Sequence, residues 1–180
     1  MDASAETEAI RQLKYRYFRH LDCKQFDAMM ELFAEGSTTS YDNGRHACTG
    51  KAAIRAFFDK GLADPGVLSQ HHGHHPEITL LDASRATGVW YMDDTVLVPA
   101  QRRRIRGNGI YWDEYLKVGG QWKILHTGYE RIWETQEVLP EGWNIRVRSM
   151  FDEKERMRSR ERARRSNEPD LLSHTTAPGE

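Results

Sequence analysis

The chain has 180 residues, of which 38% are hydrophobic and 29% charged, and its formal net charge is -1. This length suits one domain with a sizeable core, and the near-neutral charge excludes a general attraction to nucleic acid or to an anionic membrane. The acidic N-terminus lacks the basic and apolar pattern of a secretion signal, and the two cysteines fit neither a disulfide framework nor a common zinc spacing. We therefore expect a cytoplasmic protein.

The first twenty residues predict an amphipathic helix. Over 4–21, apolar residues return every three to four positions, which places them on one helical face: Ile10, Leu13, Tyr17 and Leu21. Asp22 follows, with Gln25 three positions later, which is the pattern of an N-cap for a second short helix that continues to Phe33. The sequence therefore predicts a helical hairpin broken at Asp22.

Residues 38–66 predict a strand, a turn and a third helix. A short strand is expected over 38–42, and Asn43-Gly44 is a typical turn pair. Helical spacing of apolar residues returns over 49–62, and Asp64-Pro65-Gly66 ends this helix.

The remainder up to residue 133 predicts strands, over 70–81, 85–98, 110–118 and 121–133. Gly119-Gly120 joins the last two as a two-residue hairpin. Helices followed by an antiparallel sheet indicate an α+β layer fold, and a sheet curled against helices encloses a cavity for a small molecule. The arginine-rich run 101–106 is expected in a loop or an edge strand.

Beyond Pro140 the sequence becomes highly charged. Acidic and basic residues alternate at helical spacing over 152–165, which predicts a solvated helix followed by a loose end. We therefore expect a domain over 1–140 and a charged extension over 141–180. The interspersed acids argue against a nucleic-acid arm, so docking onto another subunit is the favoured role of the extension.

Several spaced segments together resemble the SnoaL-like branch of the NTF2-like superfamily. They are Tyr17 to Asp22, Tyr41, the histidine-rich 70–78, Gly88 to Asp94, Gly120 to Ile124, and Arg131. The spaced Asp and His are most similar to the scytalone dehydratase, bile-acid 7α-dehydratase and hexachlorocyclohexane dehydrochlorinase group. The resemblance implies a cone-shaped fold, a trimer, and proton removal with loss of a leaving group. The sequence has no dinucleotide-binding, P-loop, nucleophile-elbow or cysteine–histidine zinc motif, so chemistry without a cofactor is expected.

The resemblance also implies roles for individual residues. His71 corresponds to the family's catalytic histidine and Asp22 to the aspartate that orients it. Tyr17, Tyr41 and Asp94 are further catalytic candidates by the same correspondence. Substrate-binding candidates are Arg131, Trp90 and His72. Two departures from scytalone dehydratase, Leu21 in place of a second tyrosine and Trp90 at or beside its second histidine, argue against the same substrate.

The residues themselves leave alternatives open. Asp22 can act as a helix cap, Tyr17 can belong to the apolar stripe of its helix, and one of Asp93 and Asp94 can simply face solvent. The histidines at 71, 72, 74 and 75 can be surface groups or metal ligands, although alternation along a strand separates 71 and 75 from 72 and 74. Alternation also places Arg131 opposite the core positions of its strand, unless the strand bulges near Gly128.

The leading hypothesis is a cofactor-independent lyase that acts on a small aromatic or polycyclic alcohol. An imidazole is largely neutral at pH 7 and can take a proton, and a carboxylate at its other nitrogen fixes its tautomer. Dehydration is the favoured reaction; loss of an aldehyde by retro-aldol cleavage and double-bond isomerisation require nearly the same groups. A non-catalytic binding module is the alternative from another class, because fold alone does not determine function.

Overall fold

The computed structural model describes residues 2–146 together with 154, 157, 158 and 160–162. The chain divides into two units, Met1–Asn144 and Ile145–Glu180. The described residues from 154 onward are helical and exposed, whereas the rest of the predicted helix and the loose end lie outside the described residues. The predicted boundary at residue 140 stays a prediction. Among the described residues, none of the helices combines the length and apolar character that a bilayer span requires.

The first unit, as far as the structure describes it, consists of three helices and six strands, with the third helix inserted between the second and third strands. In chain order its elements are α1 (Ala3–Asp22), α2 (Phe26–Met30), β1 (Phe33–Tyr41), β2 (His46–Thr49), α3 (Lys51–Leu62), β3 (Leu68–Leu80), β4 (Arg85–Val98), a short 3-10 turn (Pro99–Gln101), β5 (Arg103–Val118) and β6 (Gln121–Val138).

Helix α1 forms because its sequence supplies both a cap and an apolar face. The Asp2 side chain accepts a hydrogen bond from the Ser4 backbone N–H at 3.0 Å, which caps the first turn. The predicted stripe is buried as expected. The helix ends at Asp22, and Lys24, with φ of 53°, turns the chain into α2.

One six-stranded sheet contains every described strand, in the order β2-β1-β6-β5-β4-β3. Neighbouring strands are antiparallel, as predicted, except β1 and β6, which are parallel. The helices and the curved, open sheet form separate layers, which confirms the predicted α+β class. Gly119 and Gly120, both with positive φ, form the predicted tight turn between β5 and β6.

Some element boundaries differ from the predictions. Phe33 begins β1 rather than ending α2, and the short strand β2 was not expected. The arginine-rich run continues into β5, which is paired on both sides by β4 and β6. The expectation of a loop or edge strand was therefore wrong for 103–106, whereas Gln101 and Arg102 lie in the turn before β5. Arg104 forms an ion pair with Glu137 on the neighbouring strand, which accommodates one of these charges inside the sheet.

Aromatic side chains form much of the core between the helices and the inner face of the sheet. Phe18 of α1 packs edge-on against Tyr111 of β5, with ring centroids 5.6 Å apart. Phe57 of α3 stacks on Tyr41 of β1 at 5.5 Å. This aromatic layer fixes α1 and α3 against the sheet. A cavity opens within the layer.

Candidate active site

A cavity of about 550 Å³ lies between the helices and the inner face of the sheet. Aromatic and aliphatic side chains dominate its lining, with charged groups among them. The lining residues are Tyr17, Leu21, Tyr41, Asp42, His46, Phe57, Phe58, Lys60, Gly61, Leu62, His71, Asp94, Val96, Ile105, Tyr111, Tyr129, Arg131 and Glu134. An apolar pocket with a few converging polar groups is the usual form of a small-molecule site.

A second concavity, of about 570 Å³, lies beside α1 and the β5–β6 hairpin. Its Glu6 carboxylate accepts hydrogen bonds from Lys117 Nζ at 2.7 Å and Trp122 Nε1 at 2.6 Å. These bonds lower the pKa of Glu6, with the Lys117 bond the larger cause. Because this carboxylate is already paired, the first cavity is the better candidate for chemistry.

Asp22 and His71 meet at the wall of the first cavity. His71 Nδ1 and Asp22 Oδ1 are 2.7 Å apart, and the His71 backbone N–H donates to Asp22 Oδ2 at 2.8 Å. Ser69 Oγ adds a third hydrogen bond, to Asp22 Oδ1, at 2.9 Å. A carboxylate can only accept, so Nδ1 carries the proton of the neutral ring and Nε2 is the nitrogen left for a bound molecule.

The local sequence explains how Asp22 reaches His71. Asp22 is the last residue of α1, and its side chain extends to the start of β3 rather than to α2. The N-cap residue of α2 is Gln25, which makes no side-chain capping bond, so the predicted capping role of Asp22 was wrong. Gln25 Oε1 instead lies 2.7 Å from His20 Nδ1.

The pleat of β3 separates the clustered histidines. His71 faces the cavity, whereas His72 and His74 are exposed and contact Asp93. Trp90 is fully buried, and its Nε1 donates to Tyr115 Oη at 3.0 Å outside the cavity lining. Neither His72 nor Trp90 is therefore retained as a substrate-binding candidate.

Tyr17 and Tyr41 lie together in the cavity wall. Their hydroxyl oxygens are 2.9 Å apart, and either can donate. Burial is the main cause that raises the pKa of each phenol above the ordinary tyrosine value. Both hydroxyls therefore keep their protons at neutral pH and can serve as hydrogen-bond donors.

Asp94 and Arg131 form a two-pronged ion pair in the same cavity. Arg131 donates from both terminal nitrogens to the two Asp94 oxygens, with the Nη2 to Oδ2 distance at 2.8 Å. Burial lowers the pKa of Arg131, but the bond to Asp94 and the charges of Asp94, Tyr129 and Glu134 together hold it above its ordinary value. Because both Asp94 oxygens are engaged, Asp94 positions a permanent cation at the cavity wall.

A bulge in β6 turns Arg131 toward the cavity. The pairing of β5 with β6 shifts between Glu114, opposite His126, and Tyr115, opposite Ile124, so Leu125 is an extra residue. An extra residue reverses the alternation beyond it. The bulge that the prediction required near Gly128 is thus present, slightly earlier in the strand.

Sequence reasoning missed a sealed polar network beneath the cavity. Lys14 Nζ contacts Asp113 Oδ2 at 2.8 Å, and neither side chain has any exposed surface. Thr127 Oγ1 and Tyr115 Oη donate to Asp113 at 2.7 Å and 2.6 Å. Lys14 occupies an i+4 position in the stripe that begins at Ile10, and that position was a usable signal.

The Lys14 ammonium also contacts the cavity wall from behind. Its Nζ lies 3.7 Å from the Tyr111 ring centroid and 4.7 Å from that of Tyr17. Burial lowers the pKa of Lys14, and the adjacent Asp113 opposes that effect. Tyr111 and Tyr129, also missed, extend the aromatic wall of the cavity. Simple alternation along β5 predicts the inward position of Tyr111, whereas on β6 it predicts the inward positions only once the bulge is known.

Comparison with known proteins identifies relatives of this architecture. A family model described as a SnoaL-like domain matches residues 2–128. A Novosphingobium aromaticivorans structure, provisionally assigned as a scytalone dehydratase, is 23% identical, with a TM-score of 0.69 over 78% of this chain and 96% of that chain. The hexachlorocyclohexane dehydrochlorinase LinA-type3 from Novosphingobium barchaimii is 16% identical, with a TM-score of 0.67 over 81% and 97%.

Another similar structure has no assigned activity. It is an NTF-2 like protein of unknown function from Shewanella oneidensis, 20% identical, with a TM-score of 0.59 over 69% of this chain and 98% of that chain. These likenesses establish a shared fold.

Proposed function

The chain belongs to the SnoaL-like family, and from that premise we propose that it is a cofactor-independent lyase with His71 as its general base. The observation that carries the proposal is the Asp22–His71 pair at the wall of an apolar cavity. The pair has the parts that a positioned base requires: an imidazole, a fixed tautomer and an adjoining space for substrate.

The favoured reaction is loss of water from an alcohol that carries an activated C–H bond. His71 Nε2 takes the proton from the carbon next to a carbonyl, and that electron pair forms the new double bond. The carbon–oxygen bond on the neighbouring carbon breaks, and the hydroxyl leaves as water after taking a proton. The imidazolium returns its proton to the hydroxyl or to solvent, so the enzyme ends unchanged.

Asp22 supports the base in two ways. Its contact with Nδ1 stabilises the imidazolium that forms during proton removal. Its other oxygen is held by the His71 backbone N–H, and Ser69 holds the first, so the carboxylate cannot rotate freely. Proton removal therefore starts from a preorganised geometry.

The remaining polar groups suit the oxygen atoms of the substrate. The Tyr17–Tyr41 hydroxyl pair offers a neutral donor to a carbonyl or a departing hydroxyl. Arg131, kept charged by Asp94, offers a cation to a developing enolate or phenolate. Both groups line the cavity that His71 faces.

The cavity lining supports a flat, largely apolar substrate. The aromatic rings of Phe57, Tyr111 and Tyr129 make up much of the wall, and a cavity of about 550 Å³ lies within the usual range for small-molecule sites, roughly 300–1,000 Å³. A small aromatic or polycyclic alcohol with a carbonyl group is therefore the proposed substrate class.

The test compares variants across a panel of aromatic and polycyclic hydroxy-carbonyl compounds, with products identified by mass spectrometry. His71→Ala should lower kcat/KM about 10²–10⁴-fold, the usual contribution of a positioned base, and Asp22→Asn should lower it at least roughly tenfold. His72→Ala is the matched control, because this neighbour faces away from the cavity, and its activity should equal that of the parent.

The product masses distinguish the chemistries. Loss of one water supports dehydration, loss of an aldehyde supports retro-aldol cleavage, and an unchanged mass with a moved double bond supports isomerisation. Retained turnover in both folded variants, checked by circular dichroism, would sink the His71 mechanism. Tight binding of panel compounds without turnover by the parent would favour a binding module.

A further inference from the structure

The outer face of β3 and β4 carries a second arrangement of histidine and aspartate, separate from the cavity. His72 Nδ1 lies 3.3 Å from Asp93 Oδ2, and His74 Nε2 contacts Asp93 Oδ1. The donor atoms of these three side chains all lie within 4.8 Å of one another. Each side chain is about half exposed, so the group is open to solutes.

The strand geometry holds the three side chains on one face. His72 is directly opposite Asp93 in the antiparallel register, and His74 is two positions further along β3. Residues two apart on a strand share a face, so both rings stand over the same carboxylate. β4 is paired on both sides, by β3 and β5, which fixes the backbone of Asp93.

We propose that His72, His74 and Asp93 bind a divalent transition-metal ion of the zinc, nickel or copper class. Two imidazoles and one carboxylate are a donor set typical of such ions, with open positions left for water. The set is poor for magnesium or calcium, which prefer oxygen ligands. In a tetrahedral site with metal–ligand bonds of about 2.0–2.2 Å, the ligand atoms lie about 3.4 Å apart. The donor atoms here are within 4.8 Å of one another, so small side-chain rotations would bring them to that spacing.

Gln70 supplies an outer partner for this site. Its side-chain nitrogen lies 3.1 Å from His72 Nε2, the ring nitrogen that points away from Asp93. When Nδ1 of His72 binds a metal, Nε2 of the same ring carries the proton. The Gln70 side-chain amide can then flip, so that its oxygen accepts a hydrogen bond from Nε2. Such outer hydrogen bonds orient metal-binding histidines in many proteins.

Hydrogen bonding alone does little to explain why His72, His74 and Asp93 lie together. Pairs of half-exposed charged groups contribute only about 0–1 kcal/mol, and two histidines competing for one carboxylate gain little more. A bound cation uses all three side chains at once. The ring of His75 also lies beside His74, with centroids 6.1 Å apart, but His75 is outside the three-residue set.

The test is zinc binding by the untagged full chain, measured by calorimetry and by metal analysis after dialysis. The parent should bind one zinc per chain. Loss of an outer partner typically weakens metal affinity about 10–100-fold, so His74→Ala and Asp93→Asn, which remove ligands, should weaken it at least as much. His75→Asn is the matched control for a neighbouring histidine, and His71→Ala controls for the cavity; both should bind zinc as the parent does.

The proposal would be overturned by a lack of zinc binding in the parent, or by equal binding in the parent and in a His72→Ala/His74→Ala double variant. Circular dichroism confirms that each variant is folded. Crystals grown with zinc should show its anomalous signal between β3 and β4, and a signal beside His71 instead would also contradict the site. None of these measurements depends on turnover, so the lyase proposal stands or falls separately.

Discussion

Two aspartate–histidine arrangements lie on opposite faces of strand β3. On the inner face, the side chains of His71 and Asp22 are only 10% and 22% exposed, whereas on the outer face those of His72, His74 and Asp93 are 49%, 44% and 51% exposed. Asp22 accepts three hydrogen bonds from Ser69 and His71. The contacts of Asp93 with the two outer histidines are exposed to solvent. The same residue types thus form a fixed, hydrogen-bonded pair on one face and an open, solvent-exposed cluster on the other.

The face of the sheet, more than the residue type, decides what a polar group can do. Solvent screens charges on the outer face, so breaking a pair there costs little. On the inner face a lost partner leaves a group that water cannot reach. Pairs of substitutions, one on the inner face and one on the outer face, therefore test this contrast.

The largest effect is expected at the sealed Lys14–Asp113 pair. Asp113→Asn leaves the Lys14 ammonium buried without its counter-charge, and this should lower the free energy of unfolding by about 3–5 kcal/mol. Asp93→Asn is the outer-face counterpart and should change it by no more than about 1 kcal/mol. Urea denaturation without added metal measures both. Similar losses in the two variants would contradict the contrast between the faces.

A smaller loss is expected at Gly73, the inward position between the two outward histidines. A Cβ atom there would lie 2.5 Å from Phe18 Cε2 and 3.3 Å from Trp90 Cε3, so Gly73→Ala forces buried rings to move. We expect a loss of about 1–3 kcal/mol in the free energy of unfolding. His74→Ala, at the next and outward-facing position, should stay within about 0.5 kcal/mol. If the Gly73→Ala and His74→Ala proteins melt at the same temperature, the inner layer repacks freely around the added methyl group.

The buried tyrosines should make the protein sensitive to alkali. Burial raises the pKa of Tyr17, Tyr41, Tyr111 and Tyr115 above the ordinary value of 10.0. The unfolded chain therefore releases these protons near pH 10 while the folded chain keeps them, so stability falls as pH rises further. Each of these tyrosines lowers the free energy of unfolding by up to about 1.4 kcal/mol for each pH unit above that point. Urea midpoints on either side of pH 10 measure the slope, and Tyr17→Phe should make it shallower; an unchanged slope would exclude this cause.

The smallest effect is expected at Ser69, and it depends on the lyase proposal. Ser69→Ala removes one hydrogen bond from Asp22, worth about 1 kcal/mol, so kcat/KM should fall roughly fivefold. Gln70→Ala changes the next residue, which contacts His72 on the outer face, and should leave turnover unchanged. Steady-state assays on the best panel substrate provide the comparison. A fall as large as that of His71→Ala would mean that Ser69 has a direct part in the chemistry.

Local patterns in the sequence predicted much of the fold. The apolar stripe of α1, the turn at Gly119-Gly120 and the bounds of β4 are all properties of short segments, and the structure agrees with them. The boundary between α2 and β1 was wrong because Phe33 suits either a helix or a strand, and its pairing with Ile124 decides the outcome. The parallel β1–β6 pair is a long-range feature that no local pattern encodes.

The candidate site was predictable only in part, for the same reason. Family spacing identified Asp22 and His71, which the structure brings within hydrogen-bonding distance. The helix cap suggested by Gln25 did not form, because Asp22 finds three donors on β3. Asp113 was missed because nothing marks it until the sheet closes over α1, whereas the place of Lys14 in the apolar stripe of α1 was a usable signal. The extension beyond residue 140 and the expected trimer stay predictions.

The pairing of β6 with β5 contains two extra residues, and the one at Leu125 has a consequence for how this cavity can diverge during evolution. Substitutions change one side chain at a time, but deletion of Leu125 would reverse the alternation of the strand beyond it. Tyr129 and Arg131 would then point outward and Glu130 inward, and Asp94 would lose its partner in the same event. A length change of one codon is thus a single step that exchanges a whole wall of the cavity while the helices and the other strands keep their sequence.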